Sequence, residues 1–529
     1  MGRKTKNKQK SLNKAARESA TSSAPPKAAT AATNAAKRRR GDGAGETKAA
    51  GEAEDLIFED PFEDEFEEEN VHDSDGDEGD DGSEGECAKG EPMDDGGDED
   101  GEGGAGGAGG DGAGEAQDRV WRGGVDDLAD GEELEYDSTA YHMYHSIRPE
   151  WPCLSFDVIR DSLGTNRSRF PHMVFAVAGT QADRADRNKL TVMKLSDLQR
   201  TRRERDGEEG EEEDSDVEET DDDPVLDHVN IPHRGGVNRV RSMPQRPNIV
   251  ATWADTADVH LWDVSRQLAA FGGRGAPKNA SVEPLLTFGG HDDEGFAMDW
   301  SPVEAGRLAT GDCAGKIHLT KGGEGGAFAP DGAPYVGHTG SVEDLQWSPT
   351  EATVFSSASA DRTLAVWDAR QKAGPMLSLK AHDEDVNVLS WNKLVTYLIA
   401  TGSDDGSFKI WDLRSFGKGE PVAQFRWHKG PITSIEWHPT DESMLAASGA
   451  DHQLTLWDLS VEADDLGASG GGGGVAAAAG GLGDLPPQLL FIHQGQRDIK
   501  ELHFHPQIPG VILSTAADGF NIFKPATTV

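Results

Sequence analysis

Paired histidines and aspartates are the first residues in this chain with chemical potential. His338 and Asp361, His382 and Asp405, and His428 and Asp451 are each 23 residues apart. A histidine held by a carboxylate is the orienting half of a general base. Six residues beyond each Asp, however, stands a tryptophan: Trp367, Trp411 and Trp457. A catalytic constellation occurs once, whereas a triplet repeated at fixed spacing is architecture. A loop His that bonds a turn Asp, with Trp packed behind them, ties two turns together, and those bonds offset the partial burial of the carboxylate. No catalytic residue is assigned to these sets.

The elements around the triplets explain the spacing. Residues 337–370 read GHTGSVEDLQWSPTEATVFSSASADRTLAVWDAR. Short alternating runs break at Ser348-Pro349 and at Ala360-Asp361-Arg362, and the stretch closes on Trp367-Asp368. That is the layout of a WD40 repeat, about 40–45 residues forming the four strands of one propeller blade. The same ruler places a blade one at 171–198 without a Trp-Asp pair. Blade two has Trp262 but Thr256 at the Asp position. Blade three keeps His291, with Ala314 and Thr320 where Asp and Trp are due. Blade seven keeps Asp518, with Lys524 at the Trp position. The expectation is an all-β, seven-bladed propeller. Leu154–Ile159 is predicted to be the missing fourth strand of the last blade, closing the ring and leaving no long open edge. Ala140, Met143, Tyr144 and Ile147 fall at helical spacing and predict a short helix starting near Asp137-Ser138 and stopped by Pro149.

Charge divides the chain further. The net charge is −45, and residues 52–118 and 204–223 together hold −41 of it. Residues 1–50 are basic, with 13 Lys or Arg against 3 acids. This predicts a basic disordered tail (1–50), an acidic disordered region (51–119), a helical segment (120–150) and the propeller (151–529). An acidic loop (200–224) and a Gly-rich insertion (462–486) interrupt the propeller. Lys37, Arg38, Arg39 and Arg40 form a run suited to nuclear import. Ser74 and Ser215, each followed by an acid three residues on, are candidate phosphosites. Phe58, Phe62 and Phe66 recur every four residues among Glu63, Asp64, Glu65 and Glu67, an acidic-aromatic pattern that docks on basic partners. An acidic chain repels nucleic acid, so basic proteins are its expected partners, and no direct sequence-specific nucleic-acid binding is expected. No apolar run approaches the roughly 18 residues of a membrane helix, and no membrane partner is expected. Cys87, Cys153 and Cys313 are too far apart for a zinc pattern or a disulfide framework. No nucleophile elbow or phosphate loop occurs, so neither an enzyme nor a cofactor or metal is expected.

With those residues in view, SIRPEWPCLSFDVIRD (146–161) resembles the start of the histone-binding, retinoblastoma-binding type of WD40 protein. Together with FEDPFEDEFEEE and the acidic loop after blade one, the chain is similar to the glutamate-rich WD-repeat family, whose fungal member regulates ribosome biogenesis. The resemblance covers about 56–529. It implies a nuclear and nucleolar chaperone that escorts a basic large-subunit ribosomal protein, of the L-three type, to pre-ribosomal particles, acting as a monomer. The alternative within the group is a histone chaperone, in which Tyr141, Tyr144 and Trp151 would touch the client. A third reading is a substrate receptor of a cullin-RING ubiquitin ligase, from the WDxR runs Trp367-Asp368-Ala369-Arg370 and Trp411-Asp412-Leu413-Arg414. That pattern is also common where the Arg only caps a strand end.

Overall fold

A computed structural model describes residues 136–201, 223–272, 282–323, 326–461 and 485–527. Among these residues the strands form seven antiparallel sheets, each one blade. The inner strands, in chain order, are Cys153–Ile159, Val237–Met243, Ala297–Trp300, Val342–Trp347, Val386–Trp391, Ile432–Trp437 and Ile499–Phe504. Six blades have four strands, and blade three has a fifth because its outer strand is split into Phe328–Pro330 and Tyr335–Val336. The core lies between neighbouring blades. Between blades three and four, for instance, Ile317 and Leu319 pack with Val342, Leu345, Trp347 and Trp367. Burying one such large apolar side chain contributes roughly 1.5–3 kcal/mol. Blades approach most closely at glycines. A Cβ on Gly311 would sit 2.6 Å from Val342 Cγ1, and one on Gly402 would sit 2.5 Å from Ile432 Cγ2.

Two expectations are corrected here. The helical spacing around Met143 belongs to a strand: only Ser138–Ala140 makes a 3-10 turn, capped by Asp137, and Tyr141–Ile147 is extended. Its apolar residues suit both periods over so short a run, and pairing with the last strand of the chain, Gly519–Pro525, decides between them. Tyr141–Ile147 is therefore the strand that completes blade seven. The segment predicted to do so, Leu154–Ile159, is instead part of the inner strand of blade one, paired with His172–Thr180. The ring still closes by joining the two ends of the described chain, one strand earlier in the sequence than expected.

The inner strands are also tied side chain to backbone around the ring. Ser155 Oγ and Asp157 Oδ2 of blade one accept from the N–H groups of Val240 and Ser242 in blade two (3.0 and 2.7 Å). Asp299 accepts from Trp347 N–H (2.8 Å), and Asp344 and Gln346 accept from Leu389 and Trp391 N–H (3.0 and 2.7 Å). Ser390 takes Trp437 N–H (3.1 Å). Ser434 and Glu436 take the N–H groups of Leu502 and Phe504 (3.2 and 3.1 Å). Glu501 of blade seven closes the circle on Phe156 N–H of blade one (2.8 Å). In an antiparallel pair these inner-strand N–H groups face away from their own sheet, so each clasp satisfies a donor that would otherwise be buried alone.

Candidate interaction site

Two regions of the ring gather polar groups. The first is the face bearing the turns between the second and third strands of each blade. In blade four His338 Nδ1 lies 2.9 Å from Asp361 Oδ2 and Nε2 lies 2.6 Å from Ser357 Oγ, which also accepts from Trp367 Nε1 (2.7 Å). A carboxylate only accepts, so Nδ1 donates to Asp361 and Nε2 accepts from the serine. One chain of bonds thus runs from Trp to Asp. Asp361 accepts further from the N–H groups of Thr339 (2.9 Å) and Thr363 (3.1 Å). Burial would raise its pKa, but the bonds from His338 and Thr363 carry it below the usual carboxylate range.

The other blades vary this device. In blade six His428 meets Asp451 at 2.9 Å, and Thr455 bridges it to Trp457 (3.0 and 2.8 Å). In blade five Thr401 bridges His382 to Trp411 (2.8 and 2.9 Å), but His382 Nδ1 is 3.9 Å from Asp405, and Ser407 Oγ stands between them (2.5 Å to Asp405). In blade three Asp312, two residues before the position the spacing indicates, holds His291 at 2.9 Å. Thr320 does not replace the tryptophan there; Trp253 of blade two packs on His291 instead, 4.3 Å between centroids. Blade two bonds His233 to the Gly235 carbonyl (3.0 Å) and to Thr252 (3.0 Å), so Thr256 is not needed as an acceptor. In blade seven Phe523, not Lys524, stacks on His493 at 4.0 Å. The bridging hydroxyl is the one member of the device that the His, Asp and Trp spacing does not point to. Its signal is a Ser or Thr 19 residues after the His in four blades.

This face also crowds carboxylates. Glu343 is pushed up by burial and by Asp385 and Asp404, and Asp385 is pushed up by burial and by Asp404. Asp383 and Glu384 are exposed beside them. Like charges so close favour a cationic partner.

The second region is the channel mouth on the opposite face, where a cavity of about 510 Å³ opens. Its walls are the clasp residues together with Trp300, Trp347 and Trp391, and five prolines that follow inner strands ring it. Blade two differs from the other blades: Arg239 and Arg241 stand where they carry mostly acceptors or small residues. Both arginines reach across to Glu501 Oε1 (2.7 and 2.8 Å), whose other oxygen takes Ser155 Oγ–H (2.7 Å). Burial alone would raise the Glu501 carboxyl, but Arg241, His503 and Arg239 hold it well below its ordinary value. His503, which burial would push down, is carried up to about 10 by its bond to Glu436 (3.0 Å) and by the neighbouring Glu501 carboxylate. Asp299 is pushed by burial up to about 7. Nothing in the repeat spacing announced this cluster. The departure that could have done so is Val-Asn-Arg-Val-Arg (237–241) in a strand whose counterparts carry Ser, Asp or Glu.

The residues assigned to a client divide. Tyr141 is 3% exposed, with its hydroxyl on His493 Nδ1 (2.8 Å), so it belongs to the core. Its strand register turns it inward against Phe491 and Phe523. Tyr144 is half-buried and leans on exposed Tyr136, 4.8 Å between centroids, and Trp151 is half-buried. Phe58, Phe62, Phe66 and the acids between them, Ser74, Ser215 and Lys37–Arg40 lie outside the described residues. In the WDxR runs Arg370 forks onto Asp368 (2.6 Å), while Arg414 pairs with Asp412 (3.0 Å) and lies over the Tyr397 ring (3.5 Å).

Comparison with known proteins agrees with this geometry. Residues 131–199 match a family model described as the histone-binding protein RBBP4 or a CAF1 complex component. Residues 333–368, 374–412 and 419–458 match the WD domain, G-beta repeat. Protein HEAT STRESS TOLERANT DWD 1 of Arabidopsis thaliana is 48% identical over 428 residues, covering 77% of this chain and 91% of that protein. Ribosome assembly protein rrb1 of Schizosaccharomyces pombe is 42% identical over 408 residues, 75% of this chain and 82% of that protein. Glutamate-rich WD repeat-containing protein 1 of Dictyostelium discoideum is 45% identical over 419 residues, 78% of this chain and 85% of that protein.

Proposed function

The chain belongs to the glutamate-rich WD-repeat family of β-propellers, and on that footing we propose that it is a non-enzymatic ribosome-biogenesis factor of the nucleus and nucleolus. It escorts a basic large-subunit ribosomal protein, of the L-three type, to early precursors of that subunit. The observation that carries this reading is the carboxylate crowding around Glu343, Asp385 and Asp404. It occurs in a relative of a ribosome assembly protein 42% identical to this chain. A lysine or arginine arriving there relieves the repulsion that raises both pKa values. The acidic stretches at 52–118 and 204–223 extend the same shielding to the client's basic extensions. Ribosomal RNA, a denser polyanion, then takes the client over.

The test is a tagged pull-down from cell extract at moderate salt with mass spectrometry, repeated with Asp385→Lys/Asp404→Lys. One ribosomal protein in near-stoichiometric amount, reduced about tenfold or more by the double substitution, is expected. Histones in its place would instead support the second reading, a chromatin chaperone. That alternative is favoured by the match of residues 131–199 and by the aromatic edge of Tyr136 and Tyr144.

A further inference from the structure

The channel mouth lies on the face away from the crowded carboxylates, and its electrostatics run the other way. Its acids are already engaged. Asp157, Asp344, Glu436 and Glu501 accept backbone N–H groups across the blade seams, and Glu501 also takes both blade-two arginines. The cations keep spare capacity. Lys393 is half exposed, with its nearest carboxylate oxygen, Glu436 Oε1, at 3.9 Å. Exposed Arg160 lines the same cavity. His503 Nε2 is buried and has no hydrogen-bond partner among the described residues, the nearest carboxylate oxygen being Glu501 Oε1 at 3.7 Å.

A buried imidazole nitrogen without an acceptor is costly to keep unless something supplies one. The surroundings limit what that can be. Asp157, Asp299, Asp344, Glu436 and Glu501 line the same cavity, so a polyanion such as RNA or a phosphate cluster meets as many repelling groups as attracting ones. A single carboxylate does not. Pro244, Pro302, Pro349 and Pro439 at the rim, with Trp300 and Trp347 behind them, offer an apolar seat for residues flanking that carboxylate. At about 510 Å³ the cavity is of a size that accepts a few side chains.

We propose that the proline-rimmed channel mouth is a second docking site, which takes one glutamate or aspartate side chain of a partner peptide between His503, Lys393 and Arg160, with apolar neighbours of that acid packed on the prolines. The site is independent of the client face and gives the propeller two partners of opposite charge, one on each face.

The probe is a fluorescent, end-blocked peptide Ala-Pro-Phe-Glu-Pro-Ala, titrated with the full chain by fluorescence anisotropy beside its Glu→Gln counterpart. The expected result is saturable binding that the Gln peptide loses by about tenfold and that Lys393→Glu lowers by a similar factor. Lys393 is exposed, so this variant tests the site without disturbing the fold, whereas His503→Gln is read only after its melting curve shows a folded protein. Equal binding of both peptides, no saturable binding up to millimolar concentration, or full retention in Lys393→Glu overturns the proposal. Displacement of the peptide by inorganic phosphate at lower concentration than by acetate would replace it with a phosphate site.

Discussion

The His–Asp ties and the channel cluster both bury charged groups, yet they are built on opposite plans. Each tie joins residues of one blade or its adjoining loop, such as His338 and Asp361, and it recurs with variations around the ring. The channel cluster occurs once, and it joins Ser155, Arg239, Arg241, Glu501 and His503 from blades one, two and seven. A repeated local tie can be weakened in one blade while its neighbours hold, as the 3.9 Å gap between His382 and Asp405 shows. The cluster has no such redundancy, because its charged members neutralise one another.

The sharpest break of this contrast is Glu501→Gln. It leaves two guanidinium groups and an imidazolium without their carboxylate and removes the clasp charge between blades seven and one. Loss of one partner of a buried ion cluster costs about 3–5 kcal/mol. Urea unfolding should show a loss of that size, and a change below about 1 kcal/mol would mean that the arginines find other partners.

Next in size is a pH effect that separates the two regions. His503 has its pKa raised to about 10, so its contribution is complete below pH 6.5 and disappears as pH rises toward 10. That loss is on the order of 2–4 kcal/mol. His233 and His382 are held neutral, with pKa values lowered to about 4 by burial. Their neutral-state stability is present above pH 6.5 and is lost as pH falls from there toward 4. Melting temperature against pH should therefore fall on both sides of neutrality. In His503→Gln the alkaline side should flatten while the acid side stays, and an unchanged alkaline limb would remove His503 from the account.

The smallest effects compare two versions of the same tie. Asp361→Ala removes a direct bond to His338 and two backbone bonds and should cost about 2–3 kcal/mol. Asp405→Ala breaks a tie already loosened through Ser407 and should cost about 1 kcal/mol. Equal costs in paired denaturation curves would show that the 3.9 Å separation has no energetic consequence.

The features legible in the amino-acid sequence are those that repeat. The blade count, the order of blades and the regularity of blades four to six follow from His, Asp and Trp at constant spacing, because each blade solves the same local packing problem. Where the spacing lapsed, the substitute was nearby but unmarked: Asp312 for the expected position 314, and Phe523 for 524. The short segment around Met143 suits a helix and a strand equally, because a run of its length cannot distinguish the two periods. Its strand state is imposed by Gly519–Pro525, at the far end of the chain.

The propeller, its blade boundaries, the turns that carry the His–Asp pairs and the segregation of charge are therefore properties of the linear chain, each encoded within one repeat or one stretch. Other outcomes arose only on folding: which strand closes the ring, the burial of Tyr141 in the core, and the meeting of Arg239, Arg241, Glu501 and His503 in the channel. Those outcomes depend on bringing blade seven against blades one and two. The contacts formed there are specified by the closure of the ring, not by neighbours along the chain.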